Sequence, residues 1–135
     1  FLPKLIADVT EFISSEAGVT VLAVYKRVSN FLSSNNEFLS FDKQFSEKHA
    51  TREDKIVQQK LALTREKVEK SLKRKDFRSA LKVLFSMVEP VNRFLDNVQV
   101  NCEDNTLRIL RHSLLNEIRQ TMDGTVVFSE LAKNE

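Results

Sequence analysis

Nine side chains of this sequence, in three groups, have the types and spacing that suit contact with phosphates and nucleobases. Lys and Arg neutralise phosphate oxygens, whereas Arg and Asn can also donate to the edges of unpaired bases. The three groups are Lys26, Arg27 and Asn30; Lys70, Arg74 and Arg78; and Arg108, Arg111 and Arg119. This chemistry is that of a nucleic-acid-binding surface, and it requires rigid elements that hold the groups in place.

The first group lies on one face of a predicted helix. Lys26 and Asn30 are four residues apart and are therefore neighbours on a helix, and Arg27 lies at their edge. Tyr25 adds an aromatic ring that we expect to stack on a base. A solvated helix surface is the alternative interpretation of this group.

The third group lies on the last predicted helix. Arg108 and Arg111 are three residues apart, and Arg119 follows about two turns further on. These arginines suit contact with RNA, and a solvated helix surface is the alternative interpretation of this group. The alternative for Arg108 is an ion pair with Asp96 or Asp104 that holds the helices together.

The second group belongs to a strongly basic segment. Residues 52–82 contain 11 Lys and Arg against five Asp and Glu, whereas the whole sequence has a net charge of only +2. Basic residues concentrated in this way are typical of a surface that meets phosphates. A solvated face is again the alternative, because Glu66 and Glu69 can form i,i+4 ion pairs with Lys70 and Lys73.

No constellation for catalysis is visible. The sequence has no glycine-rich phosphate loop and no zinc-ligand spacing, and His49, His112 and Cys102 lie far apart. We expect His112 to be a partly exposed helix residue, and Cys102, beside two acidic residues, lacks the electropositive setting of a reactive thiol. The predicted site therefore contains no catalytic residue and no metal ligand.

The composition predicts an all-α protein. Only two Gly and two Pro occur among 135 residues, which leaves few breakers for the turns of a sandwich or barrel. A chain of this length buries one core, so we expect residues 1–135 to form a single domain. Because the sequence starts at Phe1, inside an amphipathic pattern, we interpret it as a fragment of a longer polypeptide.

Two further features of the sequence concern its surroundings. No apolar run approaches the length of a membrane span and no secretory leader is visible, so we expect neither a membrane partner nor export. The single Cys102 cannot form an internal disulfide, which is consistent with the cytoplasm.

Apolar periodicity predicts a bundle of about five to six helices. They begin near Pro3, Thr20, Thr51, Asp76, Pro90 and Asn105, and the last ends near Met122. Thr51 and Asp76 are predicted N-caps. The fourth helix is expected to bury Phe77, Ala80, Leu81, Leu84, Phe85 and Val88. We expect Phe38, Phe41 and Phe45, in the irregular segment 34–50, to plug the bundle, and the tail 124–128 to clamp over it.

The order of motifs between residues 76 and 119 resembles that of a known family. The motifs are Asp76-Phe77-Arg78-Ser79-Ala80-Leu81; Pro90-Val91-Asn92-Arg93-Phe94-Leu95-Asp96-Asn97-Val98-Gln99-Val100; and Leu107-Arg108 followed by Arg111. An upstream run, Lys26-Arg27-Val28-Ser29-Asn30-Phe31-Leu32, resembles a Lys-Arg-Val-x-Asn-Ile-Leu helix of the same family. Together they resemble the C-terminal anticodon-binding domain of the bacterial glycyl-tRNA synthetase β subunit, a helical module of the DALR type.

The resemblance implies a DALR-like helical bundle that binds the anticodon stem and loop of glycine tRNA and supports its aminoacylation. It implies that the fragment is itself non-catalytic and holds no cofactor, and that the parent is a glycine–tRNA ligase that uses ATP and Mg²⁺. It also implies an α subunit as partner of the parent β subunit, in a heterotetramer of the bacterial cytoplasm.

Two other functions remain open from the sequence. One is the DALR domain of arginyl-tRNA synthetase. The other is a non-catalytic helical bundle whose basic face meets an acidic protein.

Overall fold

Apolar residues at helical spacing, separated by local caps and turns, divide the chain into helices. The computed structural model describes residues 2–33 and 50–125. The helices are α1 (Leu2–Ser14), α2 (Glu16–Ser33), α3 (Arg52–Lys73), α4 (Phe77–Phe85), α5 (Val88–Asn97) and α6 (Asn105–Thr125). Within the described residues there is no strand, so the predicted all-α class is confirmed. The predicted plug by Phe38, Phe41 and Phe45 lies outside these residues, as does most of the predicted tail clamp.

Caps formed by neighbouring residues set where the central helices begin. The Thr51 N–H donates to the Asp54 carboxylate at 2.9 Å, and the Asp54 N–H donates to the Thr51 hydroxyl at 3.4 Å, so each residue caps the other. Asp76 accepts from the Ser79 N–H at 3.1 Å at the start of α4. Pro90 is the third residue of α5, where its missing N–H needs no partner. The predicted caps and the new helix near Pro90 are confirmed.

The corner between α3 and α4 closes through a residue in the left-handed conformation. Lys75 has a φ of 57°. Its N–H donates to the Leu72 carbonyl and the Asp76 N–H donates to the Ser71 carbonyl, both at 2.9 Å, which is the paired bonding of a Schellman motif. The turn fixes the direction in which the basic end of α3 meets α4.

The α1–α2 junction lies earlier than the sequence predicted. The break occurs at Ser15, and Gly18 lies inside the first turn of α2 rather than ahead of it. The backbones approach so closely there that a Cβ on Gly18 would lie 1.8 Å from the Phe12 carbonyl oxygen. Ser15 bridges the junction, because its hydroxyl accepts from the Gly18 N–H at 3.0 Å and donates to the Phe12 carbonyl. The glycine permits close packing and does not end a helix.

The apolar core lies between α2 and the four helices that follow it. Its largest fully buried side chains are Leu32, Leu84, Met87, Phe94, Leu110, Leu115, Ile118 and Met122. The prediction that Phe85 of α4 is a core residue is wrong, because Phe85 is 44% exposed. It is the last residue of that helix, and its ring lies at the rim of a groove that α1 forms with α4.

Among the described residues, no helix is both long and apolar enough to cross a membrane.

Candidate nucleic-acid interface

The first predicted group lies where α2 meets α5. Asn30 is exposed and Lys26 is half-buried. Arg27 donates through Nη1 to the Asn92 side-chain oxygen at 3.0 Å and through Nη2 to the Asp96 carboxylate at 2.6 Å, with 37% of its side chain exposed. Arg27 therefore holds α2 against α5. This contact fixes the part of α2 that carries Lys26 and Asn30.

A second contact joins α2 to α6. Tyr25 is buried, and its hydroxyl donates to Asp123 Oδ2 at 3.0 Å. The predicted stacking of Tyr25 on a base is therefore wrong, because its ring is part of the core. Arg119 lies one turn before Asp123 and donates to the Asn116 side chain at 3.3 Å. Because Asp123 contacts Tyr25, Arg119 lies on the side of α6 that faces α2.

Arg111 faces the interior. Its Nε donates to Asp54 Oδ1 at 3.0 Å, its Nη2 to Asp54 Oδ2 at 3.2 Å, and its Nη1 to the Gln99 carbonyl at 2.9 Å. The Asp54 side chain is 0% exposed. An arginine neutralised and bonded in this way has its donors occupied within the protein. The sequence prediction missed this partner, because the only signal at Asp54 was its place in the helix cap.

Arg108 holds the loop that precedes its helix. It donates through Nη1 to the Cys102 carbonyl at 3.0 Å and through Nη2 to the Asn105 side chain. Of the two acceptors considered for Arg108, Asp104 accepts from the Leu107 N–H at 3.1 Å, and Asp96 pairs with Arg27. Arg108 is half-buried and lies about 16 Å along α6 from Arg119, at a rise of about 1.5 Å per residue.

The basic end of α3 stays exposed. The predicted i,i+4 ion pairs are present, with Lys70 to Glu66 at 3.1 Å and Lys73 to Glu69 at 3.2 Å. Exposed pairs of this kind contribute at most about 1 kcal/mol, so they are readily exchanged for a phosphate. Arg74, also exposed, is the C-cap of the helix. This end of α3 presents a cluster of exposed positive side chains to solvent.

Arg78 instead connects α4 to α1. Its Nη2 lies 2.7 Å from Glu11 Oε2 and 3.5 Å from Asp8 Oδ1, and about half of its side chain is exposed. Two carboxylates therefore offset the charge of Arg78, so it adds less to the positive potential of this region than Lys70 and Arg74 do.

Of the three residues considered for catalysis, His49 lies outside the described residues, and His112 and Cys102 have structural contacts. His112 is fully buried, and its Nε2 lies 2.7 Å from Asn101 Oδ1, so the expectation of a partly exposed histidine is wrong. The buried face of α6 is broad at that level, since Leu110, Arg111, Leu114 and Leu115 are buried as well. Cys102 is half-buried and accepts from Arg111 Nη1 at 3.6 Å. In the part of the chain described, no group of three His, Cys, Asp or Glu could hold a metal ion.

Helices α3 and α6 lie side by side and run in the same direction. Asp54 meets Arg111 near their starts, and Arg65 Nη1 lies 3.9 Å from Glu117 Oε1 further along. The C-terminal ends of both helices consequently lie together. The nine predicted side chains are not brought to one place. Arg119 lies towards the C-terminal end of α6 but on a different face from Glu117, which meets α3, and Arg108 lies at the opposite end of α6.

Comparison with known proteins gives two findings. Residues 21–126 match the model of the DALR anticodon binding domain. The chain is also 35% identical, over 112 residues, to the glycine–tRNA ligase β subunits of Escherichia coli O157:H7 and Escherichia coli O127:H6. The matched segment covers 83% of this chain but only 16% of each of these relatives. The family model covers most of the chain, and the chain therefore belongs to the DALR anticodon-binding domain family.

Proposed function

We propose that this chain is the anticodon-binding module of a glycine–tRNA ligase β subunit and that it binds the anticodon stem and loop of glycine tRNA. The match of residues 21–126 to the anticodon-binding family carries the proposal. The names of the relatives favour the glycine enzyme over arginyl-tRNA synthetase and over a protein-interaction bundle.

The remainder of the activity belongs to the parent enzyme in this proposal. Glycine activation with ATP and Mg²⁺ would take place outside this module, with an α subunit completing a heterotetramer in the bacterial cytoplasm. The module would supply binding energy and tRNA selection, and no residue of it would touch the reacting atoms.

The surface around α2 and α6 supplies the donors for the loop. Lys26, Asn30 and Arg119 lie on rigid helices and offer cationic and amide groups, which suit unstacked bases and their phosphates. Lys70 and Arg74 provide further phosphate contacts from the end of α3. Among the other predicted residues, Arg27 holds α2 against α5, Arg108 holds the loop before α6, and Arg78 holds α4 against α1.

Fluorescence anisotropy with labelled glycine tRNA and arginine tRNA tests the proposal. We expect the chain to bind glycine tRNA more tightly, and Lys26→Ala to reduce that preference at least several-fold. Lys55→Ala is the matched control. Lys55 is an exposed lysine near the start of α3, outside the proposed interface, and its loss changes the net charge by the same amount as the loss of Lys26. Equal binding of both tRNAs, unaffected by Lys26→Ala, would contradict the proposed function.

A further inference from the structure

We infer that a groove between the C-terminal halves of α3 and α6 holds one unstacked nucleotide of the bound RNA, an inference that rests on the proposed function. The groove has a volume of about 440 Å³. Sites for small ligands typically measure about 300–1,000 Å³. None of the nine side chains predicted from the sequence lines it; Lys70, Arg74 and Arg119 adjoin lining residues in the sequence only.

The walls of the groove offer both an apolar surface and hydrogen-bonding groups. Val68 and Leu72 on α3 supply the apolar side. Gln120 on α6 is exposed, and its amide can both donate to and accept from a base edge. Thr121 donates its hydroxyl hydrogen to the Glu117 carbonyl at 2.8 Å, which leaves its oxygen as an acceptor. A nucleobase needs this combination of a flat apolar contact and a polar edge.

Positive side chains line the mouth of the groove. Arg65 pairs with Glu117 only at 3.9 Å, and both side chains are about half exposed, so the guanidinium can turn towards a base or a phosphate at little cost. Lys73 makes an exposed pair with Glu69, which phosphate can replace. Although carboxylates offset these cations in pairs, residues 65–75 contain six Lys and Arg against two Glu, so this end of α3 keeps a positive excess. A polyanion with splayed bases complements such a site better than a neutral apolar peptide would.

One lining position allows the groove to be filled without disturbing the bundle. Gly124 lies on α6, is exposed, and has no atom within 4 Å of the place where a Cβ would be added. Gly124→Leu should therefore fold, and leucine favours a helix more than glycine does. We expect this variant to bind glycine tRNA about tenfold more weakly than the wild type. Gly124→Ala, which adds only a methyl group, should bind within about twofold of it.

A second measurement identifies the nucleotide. Glycine tRNAs that carry one abasic position at a time in the anticodon loop are titrated against the wild type and against Gly124→Leu. At the position whose base enters the groove, removal of the base should weaken binding to the wild type but not binding to Gly124→Leu. Losses that add at every position would overturn the inference.

The experiment separates the groove from the proposed function. If Lys26→Ala weakens glycine tRNA binding while Gly124→Leu binds like the wild type, the groove inference fails and the proposed function stands. If the wild-type chain does not bind RNA, both fail together.

Discussion

At the scale of single residues, burial decides what a basic side chain of this protein does. Arg111 and Asp54 are removed from water together, and each depends on the other to offset its charge. Arg111→Met would leave the Asp54 carboxylate buried without its two guanidinium bonds. We expect the free energy of unfolding to fall by about 3–5 kcal/mol, measured by urea denaturation.

Arg93→Met is the matched control for this prediction. Arg93 forms an ion pair with Glu89 at 2.9 Å, but both side chains are largely exposed. Its loss should change the free energy of unfolding by less than about 1 kcal/mol. Equal small effects of the two substitutions would show that Asp54 finds water when Arg111 is removed.

Sequence spacing could not separate the buried arginine from the exposed ones. Arg111 was grouped with Arg108 and Arg119 because all three fall on one predicted helix. Its partner Asp54 is 57 positions away, so the pair forms only once α3 and α6 pack together. The same reason explains the misplacement of Tyr25, whose hydrogen-bond partner Asp123 is 98 positions away.

At the scale of helices, two glycines with opposite surroundings test the packing of α1. A Cβ at Gly18 would meet the backbone of Phe12, whereas a Cβ at Gly124 would meet nothing within 4 Å. Gly18→Ala should therefore destabilise the protein by about 1–3 kcal/mol through overpacking. Gly124→Ala should be neutral or stabilising by up to about 1 kcal/mol. Thermal unfolding of the two variants gives the comparison.

Hydrogen exchange shows where the strain of Gly18→Ala is relieved. α1 packs on α2 and α4, so its detachment would leave the contacts among the other helices in place. We expect faster exchange of the amides in α1 and little change in α6. A Gly18→Ala protein with wild-type stability and wild-type exchange would mean that α1 and α2 approach less closely than the structure shows.

Helix boundaries could be predicted wherever a signal lies within a few residues. Thr51 and Asp54, three positions apart, cap each other, and Asp76 accepts from the Ser79 N–H at the start of α4, so both starts were found from the sequence. The start of α2 was misplaced, because the role of Gly18 depends on its approach to the preceding helix. The general order of helices followed from local chemistry, while exposure at helix ends, as at Phe85, required the packed structure.

At the scale of the whole molecule, the parallel arrangement of α3 and α6 gathers positive charge at one end of the bundle. Arg119 and the exposed end of α3 lie there, whereas the buried Arg111–Asp54 pair lies near the other end. Binding to a polyanion releases counterions in proportion to the phosphates that the protein neutralises, so its salt dependence counts these contacts. The proposed function therefore predicts both a salt dependence and the end of the bundle from which it arises.

Two double variants that remove the same charges test this prediction. Lys70→Ala/Arg74→Ala removes one lysine and one arginine from the C-terminal end of α3, and Arg52→Ala/Lys55→Ala removes the same pair from its start. Lys55 and Lys70 are about 22 Å apart along the helix, at about 1.5 Å per residue. For glycine tRNA, the slope of log K against log salt should decrease by about 1–2 in the first variant and remain near the wild-type value in the second. Equal decreases in both would indicate that RNA responds to net charge alone, and the gathered charge at the α3–α6 end would then have no particular part in recognition.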